Sequence, residues 1–93
     1  STELDELPEV SNMSVYPNPS LGPVNIEFNL PLSADVELNV LDVVGKLIDQ
    51  KTYPSLASGD NRIEFDASAL SNGIYMVQLR VGNTTTTKRI VIK

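Results

Sequence analysis

The alternation of apolar and polar residues with period two constrains the fold of this chain most strongly. In the segment VNIEFNL, residues 24–30, every second side chain is apolar and the side chains between them are polar. Successive side chains of a β-strand point to opposite faces, so this pattern predicts a half-buried strand. The side chains predicted to point inward are Val24, Ile26, Phe28 and Leu30.

The same pattern recurs along the chain and predicts an all-β fold. DVELNVLD places Val36, Leu38 and Val40 on one face, and RIEFD does the same with Ile63 and Phe65. Further strands are predicted in MSVY, KLIDQKTY, IYMVQLRV and TTTKRIVIK, which makes about seven. No connection is long enough for the helix that a parallel pair of strands requires. The 93 residues therefore predict one immunoglobulin-like antiparallel β-sandwich with Greek-key connections.

Three short segments predict how strands are joined. LDVVGK places Asp42 and Gly45 at the first and fourth positions of a type I turn. Gly82 and Asn83 are typical of a tight hairpin turn. In LSNGIY, Tyr75 lies near the start of a strand, where a tyrosine hydroxyl can bond the backbone a few residues upstream and pin a corner of the sandwich.

Composition excludes several classes of function. The chain has no Cys and no His, so it lacks thiolate ligands, disulfides and the commonest general base and metal ligand. The formal net charge is -5, which argues against a nucleic-acid partner because phosphate binding needs a basic surface. Residues 1–12 contain most of the unbalanced acidic charge and are interpreted as a flexible acidic linker or leader, with the domain over residues 13–93. The acids of the leader are Glu3, Asp5, Glu6 and Glu9.

The two ends of the predicted domain carry unusual segments. YPNPSLG, residues 16–22, contains two prolines that fix the backbone and cannot donate a ladder hydrogen bond, which predicts a stiff and protected edge segment. In TKRIVIK, period two places Ile90 and Ile92 on one face of the last strand. The other face then carries Arg89, Val91 and Lys93.

Four motifs in this order resemble the type A C-terminal sorting domain of the type IX secretion system (Por secretion system) of Bacteroidota, over residues 13–93. They are PNPSLG, LDVVGK, NGIYMVQL and KRIVIK. The terminal Lys-x-x-x-Lys of the family falls on Arg89 and Lys93, so Arg stands where the family has its first Lys. The other positions that match family motifs are Pro17, Pro19, Gly22, Asp42, Gly45, Gly73 and Tyr75.

This resemblance implies a non-catalytic export signal without a cofactor. The implied partners are an N-terminal cargo domain, the type IX translocon, an outer-membrane shuttle receptor and a sortase-like cysteine protease. The implied location is the periplasm in transit to the outer membrane, the cell surface or the medium. Within that scheme, we expect Arg89, Val91 and Lys93 to be recognised by the translocon machinery, with edge-strand addition as one mode, and the leader to be where the protease cuts.

Two other classes of function stay open from the residues alone. The first is an accessory β-sandwich, such as a carbohydrate-binding or spacer module, but only Tyr16 and Tyr53 remain as exposed aromatic candidates. The second is an enzyme that uses the carboxylates Glu64 and Asp66 on one strand face, which solvated strand acids explain more simply. Asp60, Asn61, Glu64 and Asp66 also offer oxygen ligands for calcium, although the EF-hand spacing is absent.

Overall fold

The computed structural model describes residues 10–93, which form seven β-strands. Every strand predicted from the alternation is present, and most extend by one to three residues beyond the predicted limits. The strands are β1 (Ser11–Tyr16), β2 (Pro23–Leu30), β3 (Ala34–Leu41), β4 (Leu47–Leu56), β5 (Gly59–Asp66), β6 (Gly73–Val81) and β7 (Thr84–Ile92).

The strands form two antiparallel sheets that pack as a sandwich. The first sheet has the order β1-β2-β5 and the second has the order β4-β3-β6-β7. Consecutive strands change sheets between β2 and β3, between β4 and β5 and between β5 and β6, as Greek-key connections require. The predicted immunoglobulin-like sandwich is confirmed, with β4 paired to β3 in the second sheet.

The core lies between the inner faces of the two sheets and is formed by the predicted alternate positions. From the first sheet it takes Val24, Ile26, Phe28 and Leu30, all at most 2% exposed. From the second sheet it takes the inward residues of β3, β6 and β7, which include Val36, Val77 and Ile90. Phe65 is half-buried and packs against the core from the side, because β5 is an edge strand.

The beginning of the sandwich lies slightly earlier than the predicted boundary at residue 13. Val10 is buried in the core and β1 begins at Ser11. Residues 1–9, which include the four acids of the proposed leader, lie outside the described residues.

The connections define two opposite ends of the sandwich. The C-terminal pole contains the connections 17–22, 42–46 and 67–72 together with Lys93. The N-terminal pole contains the connections 31–33, 57–58 and 82–83 and the entry of the chain into β1. Ser20 pairs with Ile92, which brings the end of the first sheet and the end of β7 together at the C-terminal pole.

Candidate functional site

The last strand presents two chemically different faces, as the alternation predicts. Ile90 and Ile92 are 1% and 3% exposed and are fixed in the core. Arg89 and Lys93 are exposed, and Val91 between them is half-buried. The two predicted cations therefore lie on one outward face of a strand whose other face is immobilised by packing.

Arg89 and Lys93 are available to a partner as charges. Within residues 10–93, the ion pairs join Arg62 to Glu64 at 3.5 Å and Arg80 to Glu37 at 3.8 Å, and neither includes Arg89 or Lys93. An external anion can therefore approach these two cations without displacing an acid of residues 10–93.

The outer edge of β7 from Arg89 onward is covered by the proline-rich segment. The side-chain amide of Asn18 donates to the carbonyl of Arg89 at 3.2 Å, and its oxygen accepts from the N–H of Val91 at 3.0 Å. The N–H of Ser20 donates to the carbonyl of Val91 at 2.8 Å, and the N–H of Lys93 donates to the carbonyl of Ser20 at 2.8 Å. Residues 17–20 thus form a strap that takes the place of a neighbouring strand along residues 89–93.

The strap is itself anchored to the first sheet. Ser20 is fully buried, and its hydroxyl donates to the carbonyl of Pro23 at 2.6 Å and accepts from the N–H of Gly22 at 3.1 Å. The carbonyl of Gly22 accepts from the N–H of Ala67 at 2.7 Å. The peptide bonds before Pro17 and Pro19 are both cis. The segment therefore protects an edge, as predicted, but the protected edge belongs to β7 at the far end of the chain.

This strap revises the expectation of edge-strand addition at the terminal strand. The carbonyl of Arg89, both backbone groups of Val91 and the N–H of Lys93 already have partners in Asn18 and Ser20. A partner that binds residues 89–93 while the strap is in place must contact side chains, because these ladder groups are occupied.

Asn18 and Ser20 are structural residues that were not identified from the sequence as contacts of the last strand. Their hydrogen-bond partners in the last strand lie 71 or more residues away, and no local pattern encodes such a pairing. Their position between and after two prolines was the available signal, because each proline lacks a donor and leaves its neighbours to bond the edge.

The turn between β3 and β4 has the predicted chemistry. The N–H of Gly45 donates to the carbonyl of Asp42 at 3.0 Å, which closes a four-residue turn, and Gly45 has a φ of 88° that favours glycine. One carboxylate oxygen of Asp42 accepts from the N–H groups of Val44 and Lys46 at 3.0 and 2.9 Å. The turn is thus held by Asp42 and Gly45 and presents Val43 and Val44 at its apex.

Tyr75 forms the predicted tyrosine corner between β5 and β6. Its side chain is 8% exposed, and its hydroxyl donates to the carbonyl of Ser71 at 2.7 Å. Gly73 lies between the two residues, and a β-carbon there would be 3.9 Å from the Tyr75 ring. The Gly-x-Tyr motif is therefore a structural device that fixes the start of β6.

The aromatic side chains do not form a common sugar platform. The Tyr16 hydroxyl at the end of β1 donates to the carboxylate of Glu27, and this hydrogen bond raises the pKa of Tyr16. Tyr53 lies in β4 of the other sheet, is half-buried, and has the Lys51 ammonium 5.4 Å from its ring centre. The two rings belong to different sheets and have separate partners.

The predicted acidic candidates are each engaged in separate local contacts. Asp60 accepts from Asn29 at 3.1 Å, Asn61 donates to the carbonyl of Ala57 at 2.8 Å, and Glu64 pairs with Arg62. Asp66 accepts from the N–H of Ser68 at 3.0 Å, and this bond holds the pKa of its carboxyl below the ordinary value. Across residues 10–93 there is no group of three or more acidic, His or Cys side chains that could hold a metal ion. No helix in this part of the chain is long and apolar enough to cross a membrane.

Solved structures with a similar fold include two of the β-glucuronidase of Parabacteroides merdae. One, with glycerol in its active site, aligns with 89% of this chain at a TM-score of 0.60 and 19% identity, and the other aligns with 88% at 0.57 and 19%. The aligned part is 13% of each glucuronidase chain, so this similarity concerns the sandwich fold alone.

The comparison with curated proteins found no match. The family described as secretion system C-terminal sorting domain matches residues 14–93, which include all seven strands except the first three residues of β1. The strap, the Asp-Gly turn, the tyrosine corner and the terminal basic face all lie within this match. The chain therefore belongs to the family of C-terminal sorting domains of type IX secretion.

Proposed function

We propose that residues 13–93 direct a cargo protein, joined before them, through the periplasm and across the outer membrane by binding a shuttle receptor of the type IX system. The contacts that carry recognition are Arg89, Val91 and Lys93. One observation supports this assignment above others: these side chains share the exposed face of a strand that is fixed by Ile90 and Ile92 behind it and by the strap beside it. A pre-organised surface of this kind binds without a large cost in ordering.

The expected destination is the cell surface or the medium. Membership of the sorting-domain family implies export across the outer membrane as part of a larger cargo protein. We further propose that a sortase-like cysteine protease separates the cargo from the sandwich within residues 1–9. Support comes from the position of that segment, directly before Val10 and β1, where a cut leaves every described strand intact.

The test is a reporter fused to residues 1–93 and expressed in a bacterium with an intact type IX system and in its translocon-deficient mutant. The exported fraction of the intact fusion should depend on the translocon. Arg89→Ala with Lys93→Ala should lower it at least about 10-fold, because two charged contacts at a recognition surface are lost. Mass spectrometry of the released reporter identifies the cut.

A charge-matched control separates the site from the net charge. Lys51→Ala with Lys88→Ala removes the same charge from outside the proposed contact and should leave export within about 2-fold. Arg89→Lys should also be exported, because it restores the residue that the family carries at this position. Equal export of the Arg89→Ala, Lys93→Ala variant and the control would exclude these cations as the contact.

If the domain is an accessory module, the intact fusion should not be exported. A folded domain that keeps its reporter in the periplasm of the intact host would contradict the proposal. That result would direct the search to a ligand of the module.

A further inference from the structure

The fold collects exposed apolar side chains at the C-terminal pole. The described residues include nine large hydrophobic side chains that are exposed. Eight of them lie in the connections of this pole or within four residues of the strand ends that meet it, and Leu32 at the other pole is the exception. Single exposed hydrophobic residues need no explanation, but their concentration at one end of a small domain is typical of a binding surface. The ones that matter here are Leu21, Val43, Val44, Leu47, Ile74 and Met76.

The apex of the pole is made by two valines that the fold does not use. Val43 and Val44 are 69% and 84% exposed at the tip of the turn between β3 and β4. The turn is closed by backbone and carboxylate bonds of Asp42 and by the positive φ of Gly45. Both side chains could be replaced by polar ones without loss of those bonds, so their apolar character has no role inside this domain.

An apolar strip on the outer face of the second sheet continues from this apex. Leu47 pairs with Leu41, and Leu41 pairs with Met76 across three neighbouring strands. Ile74 pairs with Val91 in the next row. The strip therefore joins the turn to the recognition face of β7.

Next to the apolar strip, the same sheet face carries a network of polar side chains that bond one another. Gln50 donates to Asn39 at 2.7 Å, and Asn39 donates to Glu37 at 3.2 Å. Glu37 also pairs with Arg80 at 3.8 Å. This network ends the apolar strip and gives the surface a defined border on the side of the N-terminal pole.

Three cations lie next to the apolar strip. Lys46 follows the apex of the turn, Arg89 pairs with Met76, and Lys93 ends the chain beyond Val91. The neighbouring acid, Asp42, keeps its negative charge while it accepts the bonds that close the turn, so the three cations leave a positive balance. A complementary partner is therefore apolar at its centre and anionic at its rim.

We propose that the whole C-terminal pole, with Val43 and Val44 as its central contacts, docks into a concave apolar pocket rimmed by carboxylates on a protein of the export machinery. The apolar groups occupy the tip of the sandwich and one adjoining sheet face. A flat surface can cover only one of these at a time, whereas a concave pocket can cover both. The inference rests on the proposed function and extends its contact from three residues of β7 to the turn between β3 and β4.

The test uses the same reporter fusion with Val43→Ser and Val44→Ser together. The exported fraction should fall at least about 10-fold, as expected for loss of a central apolar contact, while the unfolding temperature of the purified domain stays unchanged. Leu32→Ser is the matched control, because Leu32 is 46% exposed at the opposite pole, and it should be exported normally.

The outcomes separate this inference from the proposed function. Suppose that export of the fusion needs the translocon and also Arg89 with Lys93, but does not need Val43 and Val44. That result would overturn this inference and leave the proposed function standing. Export of the intact fusion that does not need the translocon would overturn both. A third outcome is that the purified domain binds phosphatidylglycerol vesicles and that the Val43→Ser, Val44→Ser variant does not. The partner of the pole would then be a lipid surface and not a protein pocket.

Discussion

The hydroxyl of Tyr75 helps to position β7, the strand that carries the proposed contact, although the hydroxyl itself makes no bond to β7. The hydroxyl binds the carbonyl of Ser71, and the ring is buried at the start of β6. Tyr75 pairs with Ile90 in the register of β6 and β7. The corner therefore positions the strand against which Arg89 and Val91 are aligned.

Removal of this hydroxyl should lower stability without changing the fold. We expect Tyr75→Phe to reduce the free energy of unfolding by about 1 kcal/mol, because one neutral hydrogen bond is lost and the Ser71 carbonyl loses its partner. Urea denaturation of the purified domain measures the change. Tyr53→Phe keeps the ring that Lys51 contacts and should change stability by less than about 0.5 kcal/mol. Equal stability of the Tyr75→Phe variant and the parent would show that the corner is not stabilising.

At the scale of elements, the strap explains how the last residues of a terminal edge strand are kept from pairing with other chains. An unpaired strand edge is a template for aggregation, and a proline segment cannot itself extend the ladder. Here Asn18 and Ser20 supply the hydrogen bonds while Pro17 and Pro19 supply none. The edge of β7 from Arg89 onward is thus occupied by a segment that offers little for a further strand.

Loss of the Asn18 side chain should loosen the strap at a defined amide. In Asn18→Ala the N–H of Val91 loses its acceptor, so its hydrogen exchange should become at least about 10-fold faster. Exchange measured by NMR at single residues checks this. Asn29→Ala removes an exposed side-chain hydrogen bond to Asp60 in the other sheet and should leave Val91 unchanged. Unaltered exchange at Val91 in the Asn18→Ala variant would contradict a protective role for the strap.

The elements differ in how far the sequence predicts them. Strands such as β2 are encoded by local alternation, since one face must be buried, and the turn at Asp42 and Gly45 is encoded by residues that bond their own backbone. The strap depends instead on residues 18 and 91 meeting across the sandwich, which is a property of the topology. The same holds for the apolar pole: Val43 follows β3 and Ile74 lies near the start of β6, and they come to one end of the sandwich because β3 and β6 are neighbours in the sheet.

In the whole molecule, the entry of the chain and the proposed contact surface lie at opposite poles. The chain enters β1 at the N-terminal pole, and the apolar and basic surface lies at the C-terminal pole of a sandwich 45 Å in its longest dimension. The point at which the chain enters the sandwich therefore lies at the opposite pole from the proposed contact. This arrangement lets a receptor bind the pole while the cargo is still attached.

Because the proposed contact lies at only one pole, the same insertion should change export little at the N-terminal pole and strongly at the C-terminal pole. A Gly-Ser segment of about six residues between Leu32 and Ser33 lies in an exposed connection, where a longer loop costs little free energy. The exported fraction of the reporter fusion should then stay within about 2-fold of the parent. The same segment added after Lys93 lies at the proposed contact and should lower export at least about 10-fold, because it must be displaced for docking. The unfolding temperatures of both variants establish that the sandwich is intact, and equal export of the two would mean that recognition does not occur at the C-terminal pole.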